Sequence, residues 1–205
     1  MTPLAVGVLA SGEGTNLQAL LDTVHGREAT IVAVASDVPA ARALERARAA
    51  GVQAAAFPIR DYADRTARDL AIAAWLEDQG VRLVVLAGYM ALLTPAFLAR
   101  FPRAVLNVHP SLLPAFPGLG AVQQAVDYGA QVFGVTVHLV DEGVDTGPIV
   151  LQRAIALPGA TDAAAVLTEL RPIEHALLPE AVRLFARGAV RADPKNPRRT
   201  VIDAD

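Results

Sequence analysis

The stretch LAVGVLASGEGTNLQ (residues 4–18) joins an apolar run to a helix-favouring segment through a turn that contains two glycines. Short apolar runs with few polar interruptions are typical of buried parallel strands. Leu4–Ala10 is therefore predicted as a strand, and four similar runs follow, at Thr30–Ser36, Val52–Phe57, Leu83–Ala87 and Ala104–Val108.

Helix-favouring segments separate these runs, at Asn16–Val24, Ala40–Ala50 and Arg65–Gln79. Gly51 and Gly80 lie just past the last two segments, where glycine commonly ends a helix. Alternating strands and helices predict an α/β fold with a doubly wound, mostly parallel sheet and right-handed crossovers.

The pattern changes after Pro114. A short helix is predicted at Val122–Tyr128, and two strands, Phe133–Val140 and Ile149–Ala156, flank an acidic loop and predict an antiparallel edge. A last helix at 162–186 contains Pro172 and Pro179, so a kink or break is expected. The tail at 188–205 is expected to be irregular, and one domain is predicted over residues 1–205.

Composition limits the function classes. The 205 residues are 53% hydrophobic, carry a net charge of −3 and include no cysteine, so disulfides and thiol nucleophiles are excluded. The scattered arginines form no basic patch for nucleic acid. The apolar run Leu83–Leu93 is shorter than the ~20 residues that cross a membrane, and the N-terminus has no signal-sequence pattern. We expect a cytoplasmic protein, monomeric or homodimeric, with small-molecule partners and no membrane or metal.

Asn107 and His109 end an apolar run and are followed by Pro110. A strand alternates its faces, so both side chains point the same way at its exposed end. An amide and an imidazole are donors of the kind that stabilise an oxyanion during acyl transfer. A carboxylate such as Asp145 could orient the imidazole and favour its protonated form. An ordinary polar loop entry is the alternative interpretation.

Three interpretations fit the loop Ser11–Asn16. The amides of Gly14, Thr15 and Asn16 could bind a monophosphate at a helix N-terminus. A dinucleotide site is the second, with Asp37 in the place of a ribose-binding acid, although Leu17 replaces the third glycine that such a turn needs. An ordinary turn in which Thr15 or Asn16 caps the helix is the third.

The segment Ala87–Leu93 follows a strand and suits a flat heteroaromatic ring that backbone groups recognise. Core packing would explain Met90 and Leu93 equally well. Arg65 could reach an anionic ligand or could simply be solvated. The remaining histidines are expected to be surface or structural residues: His25, His138 and His175.

Five segments occur in one order along the chain: ASGEGTNLQ (10–18), AGYM (87–90), NVHPSLLP (107–114), FPG (116–118) and VDEGVDTGP (140–148). With them, about residues 4–186 resemble the folate-dependent formyltransferases. The Asn-x-His and Asp-x-Gly-Pro patterns mark the wider superfamily. The loop Ser-Gly-x-Gly-Thr-Asn-Leu resembles its glycinamide ribonucleotide branch, the phosphoribosylglycinamide formyltransferases of purine biosynthesis.

The resemblance implies a Rossmann-like fold and transfer of a formyl group from 10-formyltetrahydrofolate, the co-substrate, to the primary amine of glycinamide ribonucleotide, without a metal. It implies catalytic roles for Asn107, His109 and Asp145, with His109 as the acid. The residues implied to bind the ribonucleotide are Gly14, Thr15, Asn16 and Glu174. The folate site is implied to consist of Arg65, Met90, Ala91, Leu92, Leu93, Asn107, Asp141, Glu142, Gly143, Val144 and Asp145.

Three positions depart from that family pattern. Gly120 stands where relatives usually carry histidine, Ala91 stands where many carry arginine, and Arg171-Pro172-Ile173 precedes Glu174. A related formyltransferase, a formylfolate hydrolase, an NAD-linked oxidoreductase and a non-catalytic binding protein are the alternatives. A transfer-RNA formyltransferase is expected to carry a further C-terminal domain and a formylfolate hydrolase an N-terminal one, so the length favours the ribonucleotide branch.

Overall fold

The structure, a computed structural model, describes residues 2–203 and divides the chain into two units, Met1–Asn107 and Val108–Asp205. Each unit has its own strands and helices. The prediction of a single domain over residues 1–205 stays a prediction. In the described part of the chain, no helix is both long enough and apolar enough to span a membrane.

The first unit contains a parallel sheet with the strand order β3-β2-β1-β4-β5. This order reverses between β1 and β4, as in doubly wound folds, and ligands bind such sheets beyond the carboxyl ends of the strands at the reversal. The strands are β1 (Leu4–Leu9), β2 (Ala29–Ser36), β3 (Gln53–Ala56), β4 (Leu83–Leu86) and β5 (Val105–His109), whose last two residues belong to the second unit.

The helices of the first unit are α1 (Thr15–Thr23), α2 (Arg42–Ala49), α3 (Arg65–Asp78) and the short α4 (Pro95–Leu98). The five strands and first three helices lie within two residues of their predicted bounds. Local sequence features do not predict α4 or the 3₁₀ turn Ile59–Asp61. Single-turn elements carry too few residues to show a hydrophobic period.

Gly7 in β1 explains how α3 packs against the sheet. A Cβ atom on Gly7 would lie 2.8 Å from the Leu76 Cδ2 atom of α3 and 3.1 Å from the Val81 side chain. Ile72 and Leu76 of α3 are completely buried. At the start of the helix, the Asp64 side chain accepts a hydrogen bond from the Ala67 amide at 2.8 Å, which satisfies an otherwise unpaired helix donor.

In the second unit, β6 (Val132–Leu139) pairs antiparallel with β7 (Ile149–Ala156), which confirms the predicted antiparallel strands. Helices α5 (Ala121–Tyr128) and α6 (Ala163–Ala186) complete its helical part. A mostly parallel α/β sheet with antiparallel strands towards the C-terminus is therefore confirmed.

The prediction of an irregular tail at 188–205 was wrong for the residues that the structure describes. The strands β8 (Val190–Asp193) and β9 (Asn196–Ile202) form an antiparallel hairpin, and β9 also pairs parallel to β7 at Ile149 and Arg199. Pairing within the hairpin and with the distant β7 supplies the hydrogen bonds that local propensity does not predict. Residues 204 and 205 lie outside the described part.

A kink or break was predicted in the last helix; the break is wrong for the described residues, because α6 continues through Pro172 and Pro179, and the kink stays a prediction. Each proline removes a backbone hydrogen bond. The helix persists because tertiary packing compensates: Leu170, Leu177 and Leu178 are buried along it.

Candidate active site

The carboxyl end of β5 carries Asn107 and His109 on alternate positions of the strand. Asn107 is half-buried, whereas His109 is only 6% exposed. The His109 Nε2 atom lies 2.9 Å from the Phe116 carbonyl oxygen, and its Nδ1 atom lies 3.3 Å from Asp145 Oδ2. Both ring nitrogens face oxygen acceptors, and a neutral imidazole can donate from only one of them. The surroundings therefore suit the imidazolium form.

Asp145 connects two imidazoles. Its Oδ1 atom lies 3.4 Å from His138 Nε2, and its Oδ2 atom also accepts a hydrogen bond from the Gly118 amide at 2.8 Å. Burial opposes ionisation of this carboxylate. The hydrogen bonds from His138 and Gly118 and the charges of His109 and His138 outweigh burial and lower the pKa of Asp145 to about 2. Asp145 is therefore ionised at neutral pH and lies between two histidines.

His138 is the residue that the sequence analysis missed, since it was expected to be structural. It is 2% exposed on β6, and its Nδ1 atom lies 2.9 Å from the Leu139 carbonyl oxygen. Like His109, it presents both ring nitrogens to acceptors. The available signal was its place on a predicted strand that ends directly before the loop Asp141–Asp145.

Backbone conformation in this site departs from the usual regions for L residues. Phe116 has φ +52° and Asp145 has φ +54°, in the left-handed region that costs a non-glycine residue roughly 1 kcal/mol. The Phe116 carbonyl oxygen and the Asp145 carboxylate both contact His109, and these contacts offset the cost. Gly120, the position where relatives usually carry histidine, has φ +70° at the N-cap of α5, a conformation that suits glycine.

The remaining residues of the acidic loop are exposed or half-buried. Asp141 Oδ1 accepts hydrogen bonds from Thr146 Oγ1 at 2.6 Å and from the Gly143 amide at 3.1 Å. A Cβ atom on Gly143 would lie 2.0 Å from that hydroxyl oxygen, so glycine is required for this turn. Asp141 thus organises the loop, in which Glu142 and Val144 are exposed.

In the first unit, Gly14 is the N-cap of α1 with φ +71°, and Thr15 and Asn16 follow it as the first two residues of the helix. The N-cap position itself is therefore neither Thr15 nor Asn16. The first amides of the helix lack partners within the helix, as a phosphate-binding terminus requires. A Cβ atom on Gly14 would lie 2.8 Å from Ala43 Cα, so only glycine allows α2 this close.

Ser11 connects this loop to the segment after β4. Its amide donates to the Gly88 carbonyl at 3.1 Å, and its hydroxyl accepts from the Met90 amide at 2.9 Å and donates to Asp37 Oδ1 at 2.6 Å. Ser11 therefore links the loop predicted to bind the ribonucleotide to the segment predicted to bind the folate. Asp37, the acid of the dinucleotide interpretation, has one oxygen engaged in this contact.

Half of the six predicted folate residues of the first unit are exposed, namely Arg65, Met90 and Leu92. Met90 is 62% exposed, so core packing does not account for it, while Ala91 and Leu93 are half-buried. Arg65 is exposed at the first position of α3. In the second unit, Glu174 is half-buried on α6.

Within the second unit, the structure brings the predicted residues His109 and Asp145 together and places His138 beside Asp145. Among residues 2–203, no group of three or more histidine, cysteine or acidic side chains is arranged to hold a metal ion. A histidine paired with an aspartate in this way can present a protonated imidazole to a developing oxyanion.

Known proteins resemble this chain over most of its length. The phosphoribosylglycinamide formyltransferase of Mycobacterium tuberculosis is 42% identical over 189 residues, 92% of this chain and 87% of that protein. The trifunctional purine biosynthetic protein adenosine-3 of Chironomus tentans is also 42% identical, over 93% of this chain, but this chain spans only 14% of its length.

Solved structures and family profiles agree with these relatives. The crystal structure of glycinamide ribonucleotide transformylase 1 from Symbiobacterium toebii matches with a TM-score of 0.92 and 45% identity, over 98% of this chain and 95% of that chain. The profile of the formyl transferase family matches residues 4–182. Because that match covers most of the sequence, the chain belongs to the formyl transferase family.

Proposed function

We propose that this chain transfers the formyl group of 10-formyltetrahydrofolate to the primary amine of glycinamide ribonucleotide, a step of purine biosynthesis. The contact between His109 Nδ1 and Asp145 Oδ2, at the end of a doubly wound sheet, carries the proposal. The names of the relatives from Mycobacterium tuberculosis and Symbiobacterium toebii support the choice of substrate.

The chemistry follows from charge. The amine nitrogen forms a bond to the formyl carbon, and the carbonyl oxygen becomes an oxyanion. The Asn107 amide and the imidazolium of His109 stabilise that oxyanion, while Asp145 maintains the charge on the imidazole. The bond between the formyl carbon and the folate N10 then breaks, and the proton lost by the amine ends on N10.

Binding of the ribonucleotide is assigned to α1 and α6. The amides of Gly14, Thr15 and Asn16 would bind the phosphate, because a helix N-terminus concentrates donors and partial positive charge. Glu174 would contact the substrate from α6. The oligomeric state and the cytoplasmic location stay predictions.

Binding of the folate is assigned to backbone groups of Met90, Ala91, Leu92 and Leu93 and to the loop Asp141–Asp145, with Arg65 facing the anionic end of the co-substrate. A contact through backbone tolerates Ala91 in place of arginine. The ring is flat and carries donors and acceptors on its edge, which suits recognition by main-chain groups.

The test is an assay of the purified protein with both substrates and with either one omitted. We expect formylated ribonucleotide and tetrahydrofolate to appear in equal amounts, and only when both substrates are present. Release of formate without the ribonucleotide would instead indicate a hydrolase. NADH binding by the protein would support the oxidoreductase alternative. His109→Ala serves as the control for contaminating activity.

A further inference from the structure

Side chains from distant parts of the sequence hold the segment Met90–Leu93 at both of its ends. The segment has no regular secondary structure, and the Met90 and Leu92 side chains are 62% and 55% exposed. Neither a ladder of hydrogen bonds nor burial of these side chains fixes its backbone. Hydrogen bonds at Met90 and at Thr94, just after the segment, hold its two ends.

Ser11 holds the first end. Its hydroxyl donates its single proton to Asp37 Oδ1 at 2.6 Å, which leaves an oxygen lone pair for the Met90 amide at 2.9 Å. The Ser11 amide donates to the Gly88 carbonyl at 3.1 Å. Asp37 thus sets the direction in which the hydroxyl accepts, and Ser11 fixes the entry of the segment.

Asp69 of α3 holds the other end. Its carboxylate is fully buried, and Oδ2 accepts a hydrogen bond from the Thr94 amide at 2.7 Å. Its Oδ1 atom accepts from Arg68 Nε at 3.1 Å and Nη2 at 2.7 Å, and Arg68 is only 4% exposed. Burial of a paired arginine and aspartate is rarely more stabilising than apolar packing of the same volume. The pair is therefore better explained by the geometry that it imposes on Thr94.

We propose that Ser11 and Asp69, supported by Asp37 and Arg68, are positioning residues for the folate. They hold the backbone N–H and C=O groups of Met90–Leu93 in the arrangement that recognises the ring of the co-substrate. The inference rests on the proposed function, which assigns this segment to the folate. None of the four side chains needs to contact the ligand itself.

Two double variants isolate the hydrogen bond to Thr94. Arg68→Met with Asp69→Leu removes both buried charges and the acceptor, whereas Arg68→Met with Asp69→Asn removes the charges but keeps an amide oxygen at the acceptor position. Because one hydrogen bond is worth roughly a factor of five to ten, we expect the leucine variant to bind tetrahydrofolate about tenfold more weakly than the asparagine variant. Titration calorimetry measures this, with glycinamide ribonucleotide titrated separately and expected to change less than about twofold.

Ser11→Ala tests the first end without removing a buried charge. Thr168→Ala is the control, since the Thr168 hydroxyl donates to the Ala164 carbonyl at 2.9 Å on α6, outside the segment and its supporting residues. We expect Ser11→Ala alone to weaken tetrahydrofolate binding and to accelerate hydrogen exchange at the Met90 amide.

The outcomes separate the two proposals. A parental protein that neither binds tetrahydrofolate nor transfers a formyl group refutes the proposed function. A parental protein that does both, with leucine and asparagine variants of equal affinity, refutes the positioning role alone. Equal weakening of folate and ribonucleotide in these variants also refutes it, because general destabilisation then explains the loss.

Discussion

Asp145→Asn is the most direct test of the electrostatics of the site, because it removes the charge shared by His109 and His138 and keeps the side-chain shape. The pKa of Asp145 is lowered from 3.8 to about 2 in the folded protein. Since each unit of pKa corresponds to about 1.36 kcal/mol, the ionised carboxylate contributes on the order of 2 kcal/mol to the free energy of unfolding.

The pH dependence follows from the sign of this shift. A carboxylate with a lowered pKa in the folded state stabilises the fold fully above its unfolded pKa, and this contribution is lost as the pH falls through about 2. We expect the parental protein to be more stable than Asp145→Asn by about 2 kcal/mol at pH 5, and the difference to disappear near pH 2. Urea unfolding of both proteins at intervals of half a pH unit measures this difference in the free energy of unfolding.

Asp141→Asn is the matched control, since Asp141 lies in the same loop and contacts Thr146 and Gly143 instead of a histidine. The free energy of unfolding of Asp141→Asn should differ little from that of the parental protein, and this difference should vary little between pH 5 and pH 2. A pH dependence of Asp145→Asn like that of this control would refute the stabilising role of the Asp145 charge. The role of this charge in maintaining the imidazolium is refuted if Asp145→Asn keeps parental turnover.

Asn107→Ala and His109→Ala should each lower kcat on the order of 100- to 1000-fold. The double variant should lose less than the product of the two, because both groups act on one oxyanion; fully multiplicative losses in steady-state kinetics would contradict this. Gly14→Ala should weaken ribonucleotide binding at least about tenfold and leave folate binding unchanged, since the amides face the phosphate. Gly12→Ala, where a Cβ atom meets nothing within 4 Å, is its control, and equal effects in calorimetry would refute the assignment. His138→Gln should raise the pKa of Asp145 above its value of about 2, because a hydrogen bond that lowers it is lost. A carboxyl carbon NMR titration that finds no change would remove His138 from the charge network.

Local features of the sequence were sufficient to predict the elements of the first unit. A strand buried on both faces must be apolar along its whole length, so β1 and β4 stand out from the segments around them. The glycines at 51 and 80, with φ near +71°, end the helices α2 and α3. These signals act within a few residues, and a sequence shows them directly.

The C-terminal hairpin shows the opposite case. β9 contains Pro197 and two arginines and has no apolar alternation, so nothing local favours a strand. It forms because β7 and β8 lie beside it and supply backbone partners at Ile149 and along Val190–Asp193. Pairing between segments about 50 residues apart is a property of the tertiary structure.

The candidate site divides in the same way. The sequence alone determined that Asn107 and His109 end a strand, and its resemblance to a family singled out Asp145. Only the tertiary structure decided that His138 shares that carboxylate, because the fold brings its Nε2 atom within 3.4 Å of Asp145 Oδ1. Ionisation depends on distances of a few ångströms between groups remote in the chain, and only folding sets those distances.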